Sequence, residues 1–376
     1  MRANWRTNLA LMGCGVVMAL GLLGLALLLF PQLRPDPNRQ IVRFTVGIGD
    51  MFFNRPGLIA PPPNPNDILS EHVVRYDADG FRMPERAAER YDIIALGDSF
   101  TEATNAARPW PDVLVAASGL SVRNLGFRGY GPVQEARVLS EYGLRDNAAT
   151  IVVGYFEGND LSNVIDSTDY VEPRVARQQF APFDPTQEIW RTQNAGPFPL
   201  PVRVSINGAI TEMALLDDYW SWLNATVADF AQSANMRALE AVWRGMQAAV
   251  GDACLVIAYF PTAPHIYAPY IVAQDRAQMM ATVRAMTISA PGAPLEYGGA
   301  IAYEEAITRL NNQRDALAAL AQRLGLAFVD LVPAFQAAAA RGEILYYAYD
   351  THWNQAGHDL AGQAIAAYLA QNPCAR

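Results

Sequence analysis

The sequence predicts an α/β protein, a three-layer α/β/α sandwich with a five-stranded parallel sheet, preceded by one N-terminal transmembrane helix. Three observations support this fold class. Short apolar runs alternate with segments of helical periodicity, a long uncharged run lies near the amino terminus, and 51% of the 376 residues are hydrophobic. A parallel sheet requires this alternation, because each strand returns to the sheet through a crossover helix. The length allows one core of about 300 residues.

The first predicted element is a membrane span, the uncharged run LALMGCGVVMALGLLGLALLLF at residues 9–30. A helix of this length covers about 30 Å, the thickness of a bilayer core. The following FPQLRPDP lacks the small residues of a signal peptidase site, which favours an uncleaved anchor. Arginines flank both ends of the run, so orientation rests on the short leading tail rather than on charge. We predict a cytoplasmic tail and signal anchor at 1–34, with the larger C-terminal part exported.

A linker and lead-in are predicted at residues 35–76. The proline-rich stretch APPPNPND at 60–67 is typical of a semi-rigid spacer. The remaining residues, 77–376, are predicted to form the globular domain.

Five apolar runs are the predicted strands of the sheet, at residues 91–96, 120–126, 149–156, 254–260 and 326–331. Apolar residues three and four positions apart predict helices at 133–142, 304–324 and 355–369. The segment at about 166–249 breaks the alternation with PFDP, GPFPLPV and the aromatic run DDYWSWL. We interpret it as an insertion over the sheet edge rather than a second domain.

Composition excludes several classes of function. The net charge of −9 gives no electrostatic support for binding nucleic acid. All 28 basic residues other than histidine are arginines, so a P-loop and a Schiff-base lysine are both excluded. The three cysteines, Cys14, Cys254 and Cys374, and the four scattered histidines predict no metal site, and no cofactor is expected. In an exported domain Cys254 and Cys374 could form a disulfide; a buried thiol and a free thiol are the simpler interpretation.

Polar residues follow the predicted strands at the points where the strands end. Ser99 ends the first strand, Gly129 follows the second, Asn159 follows the third, and Asp350 and His352 follow the last. Ligands of parallel sheets bind at this edge. A serine nucleophile needs a base, an orienting carboxylate and donors for the oxyanion, and all of these residue types are present.

Four short blocks, GDSFTEA, NLGFRGYG, GND and DTHWN, resemble those of the SGNH hydrolases, also called GDSL-type esterases and lipases. The resemblance covers roughly residues 77–369 without the insertion and implies a flavodoxin-like fold. It implies a nucleophile at Ser99, whose own N–H is an oxyanion donor, a base at His352 and an orienting carboxylate at Asp350. The other two oxyanion donors would be the N–H of Gly129, with Gly126 as the alternative, and the side-chain amide of Asn159.

The resemblance implies a serine esterase acting on O-acetyl or short acyl esters of envelope glycans or lipids. The D-x-H spacing of Asp350 and His352, in place of D-x-x-H, is also similar to bacterial proteins that acetylate exported polysaccharides, although those carry this pair before the serine. An O-acetyltransferase and a catalytically idle, membrane-anchored glycan-binding module are therefore the alternatives. The lead-in YDADGFRMPE is similar to membrane-anchored bacterial members, which implies an inner-membrane protein with a periplasmic domain.

Other residues near these blocks have simpler interpretations. Asp98 is expected to cap the following helix or to shape the turn, and Asn159 has an alternative role as an N-cap. His265 is interpreted as a loop histidine, with a place in the substrate cleft as the alternative, and His358 as a packing or surface residue. The aromatic run at 219–222 is expected to pack, with a lid over substrate or membrane as the alternative.

Overall fold

The computed structural model describes residues 39–42, 51–54, 71–165, 170–180, 187–191, 201–215, 225–280, 286–290, 293–297, 302–348 and 352–372. Within these ranges no helix is both long and apolar enough to cross a membrane. The predicted span at 9–30, the spacer at 60–67 and the aromatic run at 219–222 lie outside them.

The strands are, in chain order, β1 (Arg39–Val42), β2 (Met51–Asn54), β3 (Glu71–Arg75), β4 (Ile93–Gly97), β5 (Val122–Asn124), β6 (Thr150–Phe156), β7 (Gln187–Arg191), β8 (Pro201–Ile206), β9 (Ala209–Ala214), β10 (Cys254–Phe260), β11 (Met286–Ala290), β12 (Ala293–Tyr297) and β13 (Ala327–Asp330). The α-helices are α1 (Ser99–Glu102), α2 (Trp110–Ser118), α3 (Pro132–Glu141), α4 (Asp160–Asn163), α5 (Pro173–Phe180), α6 (Val227–Gln232), α7 (Ala234–Val250), α8 (Ala263–Tyr267), α9 (Ala273–Met280), α10 (Tyr303–Thr308), α11 (Asn312–Leu324), α12 (Val332–Ala340) and α13 (Gln355–Gln371).

The central sheet has five strands in the order β13-β10-β6-β4-β5, and every neighbouring pair is parallel. The prediction of a five-stranded parallel sheet is confirmed. β10 has the predicted bounds, whereas β5 is shorter than predicted, because only Val122–Asn124 pair with β4. The strand order reverses between β4 and β6, and this reversal opens a crevice at the carboxyl ends of the strands.

Both faces of the sheet are buried. Ile93 and Ala95 of β4 point into one core, with α2, α12 and α13, while Ile94 and Leu96 point into the other, with α3, α7 and α11. Strands covered on both sides read as continuous apolar runs. This explains why the runs were recognisable in the sequence.

The end of the segment interpreted as an insertion is part of the helical layer. Helix α7 buries Leu239, Trp243 and Met246 in the second core and connects β6 to β10. Before it, β7 pairs antiparallel with β3, and β8 and β9 form a hairpin. The helical spacing of apolar residues in α7 was not recognised in the sequence, because proline-rich and aromatic stretches precede it.

The predicted helix at 304–324 is two helices, α10 and α11, separated at 309–311. Asn311 lies in this break, and its Oδ1 accepts a hydrogen bond from Nε2 of His265 at 3.0 Å. The half-buried side chain is thereby tied to a buried histidine, which the period of apolar residues could not reveal.

Cys254, the first residue of β10, is disulfide-bonded. The sequence has two other cysteines, Cys14 and Cys374, and both lie outside the described residues. The interpretation of Cys254 as a buried thiol is therefore wrong.

Candidate active site

Ser99 lies on a tight turn at the carboxyl end of β4. Gly97 ends the strand, and a Cβ on it would lie 2.2 Å from Oγ1 of Thr101, so only glycine fits the turn. The carboxylate of Asp98 accepts the N–H of Phe100 at 2.8 Å and caps α1. The predicted capping role of Asp98 agrees with this geometry. Ser99 follows as the first helical residue and stays partly exposed.

His352 faces Ser99 from the far end of the chain. Its Nε2 lies 2.9 Å from Oγ of Ser99, which is hydrogen-bond distance for a nucleophile and its base. The carbonyl of His352 accepts the N–H of Tyr347 at 2.9 Å, and its ring packs against Phe100, with 4.9 Å between ring centroids. Trp353, which follows His352 in the chain, is fully buried. The histidine therefore sits on an anchored segment.

Asp350, the predicted orienting carboxylate, lies outside the described residues together with its two neighbours. Its role therefore stays a prediction.

The two glycine candidates for the oxyanion hole differ clearly. The N–H of Gly126 donates to Oδ1 of Asn124 at 2.9 Å, and a Cβ on Gly126 would lie 2.5 Å from the backbone nitrogen of Glu102. Gly129 is exposed with φ of +79°, and none of the hydrogen bonds among the described residues uses its N–H. A free N–H at the sheet edge is what an oxyanion requires. The geometry therefore favours Gly129.

Asn159 occupies the N-cap position of α4, but its side chain makes no capping hydrogen bond. The carboxylate of Asp160 instead accepts the N–H of Phe156 at 2.7 Å. Oδ1 of Asn159 is buried without a partner in the described part of the chain. The alternative role as a cap is therefore not supported, and the amide is free to serve an oxyanion.

If Asn159 is an oxyanion donor, Asn159→Ala is expected to lower kcat by about a hundredfold or more while KM changes little. The measurement is steady-state hydrolysis of a p-nitrophenyl ester by the purified protein. Asn163→Ala, at the end of the same short helix, is the matched control. Near-full activity of Asn159→Ala would remove this residue from the oxyanion hole.

Three fully buried carboxyl groups, those of Asp98, Glu135 and Asp160, lie behind the nucleophile. Oδ2 of Asp98, both oxygens of Glu135 and Oδ1 of Asp160 lack a partner among the described residues. Burial raises the pKa of Asp98 to about 6. Burial and the charge of Asp98 raise the pKa of Glu135 well above its usual value. Burial and the charge of Glu135 raise the pKa of Asp160 well above its usual value in the same way. Both shifts favour the protonated form of these two carboxyl groups. No group of three or more His, Cys, Asp or Glu side chains in the described ranges could hold a metal ion.

We expect Glu135→Gln to stabilise the protein at high pH. Above its usual pKa the carboxyl ionises in the unfolded chain but keeps its proton in the fold, so the free energy of unfolding falls by up to about 1.4 kcal/mol per pH unit. The glutamine removes this loss, so the gain in the free energy of unfolding is larger at about pH 8 than at about pH 5. Urea unfolding of wild type, Glu135→Gln and the exposed control Glu304→Gln at both pH values measures this gain. An equal gain at both pH values would contradict the prediction.

The other histidines near the sheet edge have structural roles. The Nδ1 of His265 lies 2.7 Å from the carboxylate of Glu157, and Nε2 binds Asn311, so both ring nitrogens are occupied. Burial lowers the pKa of His265, but the charge of Glu157 together with the hydrogen bonds to Glu157 and Asn311 outweighs burial, so the net shift is upward. His358 is buried against Trp353, and burial lowers its pKa to about 3. Packing accounts for both residues without a place in the cleft.

Two charged residues of the site escaped sequence reasoning. Arg82, in the lead-in, donates from its guanidinium to the carbonyls of Glu102, Ala103, Ala106 and Ala107, the loop that follows α1. Glu102, three residues after Ser99, is fully buried among arginines. One signal in the sequence could have identified them. Both are charged residues within blocks whose other residues are typical of a buried segment.

No curated protein matches the chain in sequence. Among solved structures it is similar to the lipase/acylhydrolase from Enterococcus faecalis, with 15% identity, 76% of this chain and 98% of that chain covered, and a TM-score of 0.37. It is also similar to phospholipase A1 from Streptomyces albidoflavus NA297, with 12% identity, 76% of this chain and 100% of that chain covered, and a TM-score of 0.37. Similarities at this level say nothing about the substrate.

Residues 95–360 match the GDSL-like Lipase/Acylhydrolase family. This range spans more than half of the chain and contains Ser99, Gly129, Asn159 and His352. The protein therefore belongs to the GDSL-like lipase and acylhydrolase family, which implies the hydrolysis of ester bonds.

Proposed function

We propose that the protein is a serine esterase that works through an acyl-enzyme on Ser99. The observation that carries this proposal is the 2.9 Å contact between Oγ of Ser99 and Nε2 of His352. The free N–H of Gly129 and the uncommitted amide of Asn159 support it, because both lie at the same edge of the sheet.

The mechanism follows from these groups. Neutral His352 accepts the hydroxyl proton as Oγ of Ser99 attacks the ester carbonyl. The N–H groups of Ser99 and Gly129 and the amide of Asn159 stabilise the oxyanion. The tetrahedral intermediate collapses, His352 returns the proton to the leaving alcohol, and the acyl group remains on Ser99. Water, activated by the same histidine, then releases the acid. Asp350 is the proposed partner that orients the imidazole.

The proposed substrates are O-acetyl or short acyl esters of envelope glycans or lipids. Residues 9–30 are proposed to hold the protein in the bacterial inner membrane with the catalytic domain on the periplasmic side. The second candidate function, transfer of an acetyl group to an exported polysaccharide, is favoured by the D-x-H spacing of Asp350 and His352. Transfer uses the same acyl-enzyme, with a sugar hydroxyl in place of water.

The test is made on the detergent-solubilised full chain with p-nitrophenyl acetate and longer esters, with and without an oligosaccharide acceptor. A fluorophosphonate probe labels the active serine in parallel. Turnover with labelling and no acetylated sugar supports the esterase, whereas acetylated acceptor supports the transferase. If the protein shows no turnover and no labelling, the glycan-binding module becomes the favoured function.

A further inference from the structure

We propose that Glu102 is a positioning residue that sets the location of the Gly129 N–H relative to Ser99. The inference rests on the proposed function, in which Gly129 is an oxyanion donor. It concerns a residue that never touches the substrate and acts through the loop of residues 127–131.

Glu102 joins the nucleophile helix directly to this loop. It is the last residue of α1, three positions after Ser99, and its side chain is fully buried. Its Oε2 accepts the backbone N–H of Arg128 at 2.7 Å and Nε of the same residue at 3.0 Å, while Oε1 accepts Nη2 at 2.9 Å. One carboxylate thus fixes both the main chain and the side chain of Arg128. The next N–H along the chain is that of Gly129.

The carboxylate is itself held in place. Nη2 of Arg177, from α5, also donates to Oε1, and the Arg177 guanidinium lies over the ring of Tyr76 at 3.7 Å. Nη2 of Arg128 donates to the hydroxyl of Tyr76 at 3.2 Å. Burial alone would raise the pKa of Glu102, but Arg128 and Arg177 lower it to about 2, so the charge is permanent at neutral pH. Charge-assisted hydrogen bonds of this kind are short and directional.

Two backbone hydrogen bonds lie on either side of Gly129 in this loop, and neither reaches α1. Phe127 donates its N–H to the carbonyl of Gly97 at 3.0 Å, and Tyr130 donates to the carbonyl of Phe127 at 3.1 Å. Gly129 between them has φ of +79° and is exposed. The bond from Arg128 to Glu102 is the contact that ties this stretch to the helix of Ser99. A donor must be placed within a fraction of an ångström to stabilise a transition state.

The test compares Glu102→Asp with Glu141→Asp, in the surface ion pair of α3 with Arg137. The aspartate keeps the charge beside the arginines but is one methylene too short to reach the N–H of Arg128. We expect kcat to fall by about tenfold to a hundredfold with KM nearly unchanged. We also expect faster hydrogen exchange of the amides at 127–130, while peptides of β4 and α2 stay as in wild type.

A second variant separates positioning from stability. Arg177→Met removes a charged partner of Glu102 but leaves the three bonds with Arg128, so we expect a lower Tm and a clearly smaller loss of kcat than in Glu102→Asp. Unchanged kcat and exchange in Glu102→Asp would overturn the proposal, as would an equal loss of kcat in Arg177→Met. If wild type shows no turnover that depends on Ser99, the proposed function fails. The exchange measurement then decides the role of Glu102 alone.

Discussion

Replacing Ser99 by alanine is expected to lower kcat for p-nitrophenyl ester hydrolysis by about 10⁴-fold or more, and to abolish labelling by a fluorophosphonate. Among the residues that the structure describes, the hydroxyl of Ser99 is the group in contact with the proposed base. Its neighbours remain in position in the variant, because the turn depends on Gly97 and Asp98. KM should therefore change much less than kcat.

Ser118→Ala is the matched control for this variant. Its hydroxyl donates to the carbonyl of Leu114 within α2 and accepts the N–H of Leu120, so the loss affects two local bonds at the end of that helix. Activity close to wild type is expected from the control. If Ser99→Ala kept more than about a tenth of the activity, the acyl-enzyme mechanism would be wrong.

The second large effect is expected at His352. His352→Gln should lower kcat/KM by about 10⁴-fold, because the base that takes the proton from Ser99 is lost. In wild type, kcat/KM should rise with pH through about 6 to 7, since only the neutral imidazole accepts a proton. In the variant this rise should vanish.

His72→Gln serves as the control for His352. Nε2 of His72 lies 2.8 Å from the carbonyl of Thr104, and a glutamine amide can make the same hydrogen bond. The control should keep both the rate and the pH profile. A wild-type profile that is flat across this window would count against His352 as the base.

The fold was predictable because its signal is local. The three inner strands, β4, β6 and β10, carry apolar runs that are buried on both faces, and the bounds predicted for β10 were those observed. The pairing of Ser99 with His352, which are 253 positions apart, was predictable from the family resemblance of their blocks and not from a strand end, because α12 lies between β13 and His352. The common edge of parallel strands accounts for Ser99 after β4 and Asn159 after β6.

The network around Glu102 could not be predicted in this way. Arg128 lies 26 positions and Arg177 75 positions from Glu102, and Arg177 comes from a helix within the segment interpreted as an insertion. Nothing in the local period of α5 indicates which carboxylate its arginine will meet. The same holds for His265, whose partner Glu157 lies 108 positions away. Buried charge pairs are decided by tertiary packing, which the sequence pattern does not record.

The contacts of the lead-in have a consequence for where the catalytic unit begins. Tyr76 and Arg82 precede the first strand of the central sheet, yet one lies against the arginines around Glu102 and the other binds the loop after α1. β3, earlier still, pairs with β7. A fragment that starts at β4 would keep all five central strands and both members of the Ser99–His352 pair. It would lack the contacts of Tyr76 with the arginines around Glu102 and those of Arg82 with the loop after α1. A fragment that keeps these contacts therefore starts no later than residue 71, in what the sequence presents as the end of a linker.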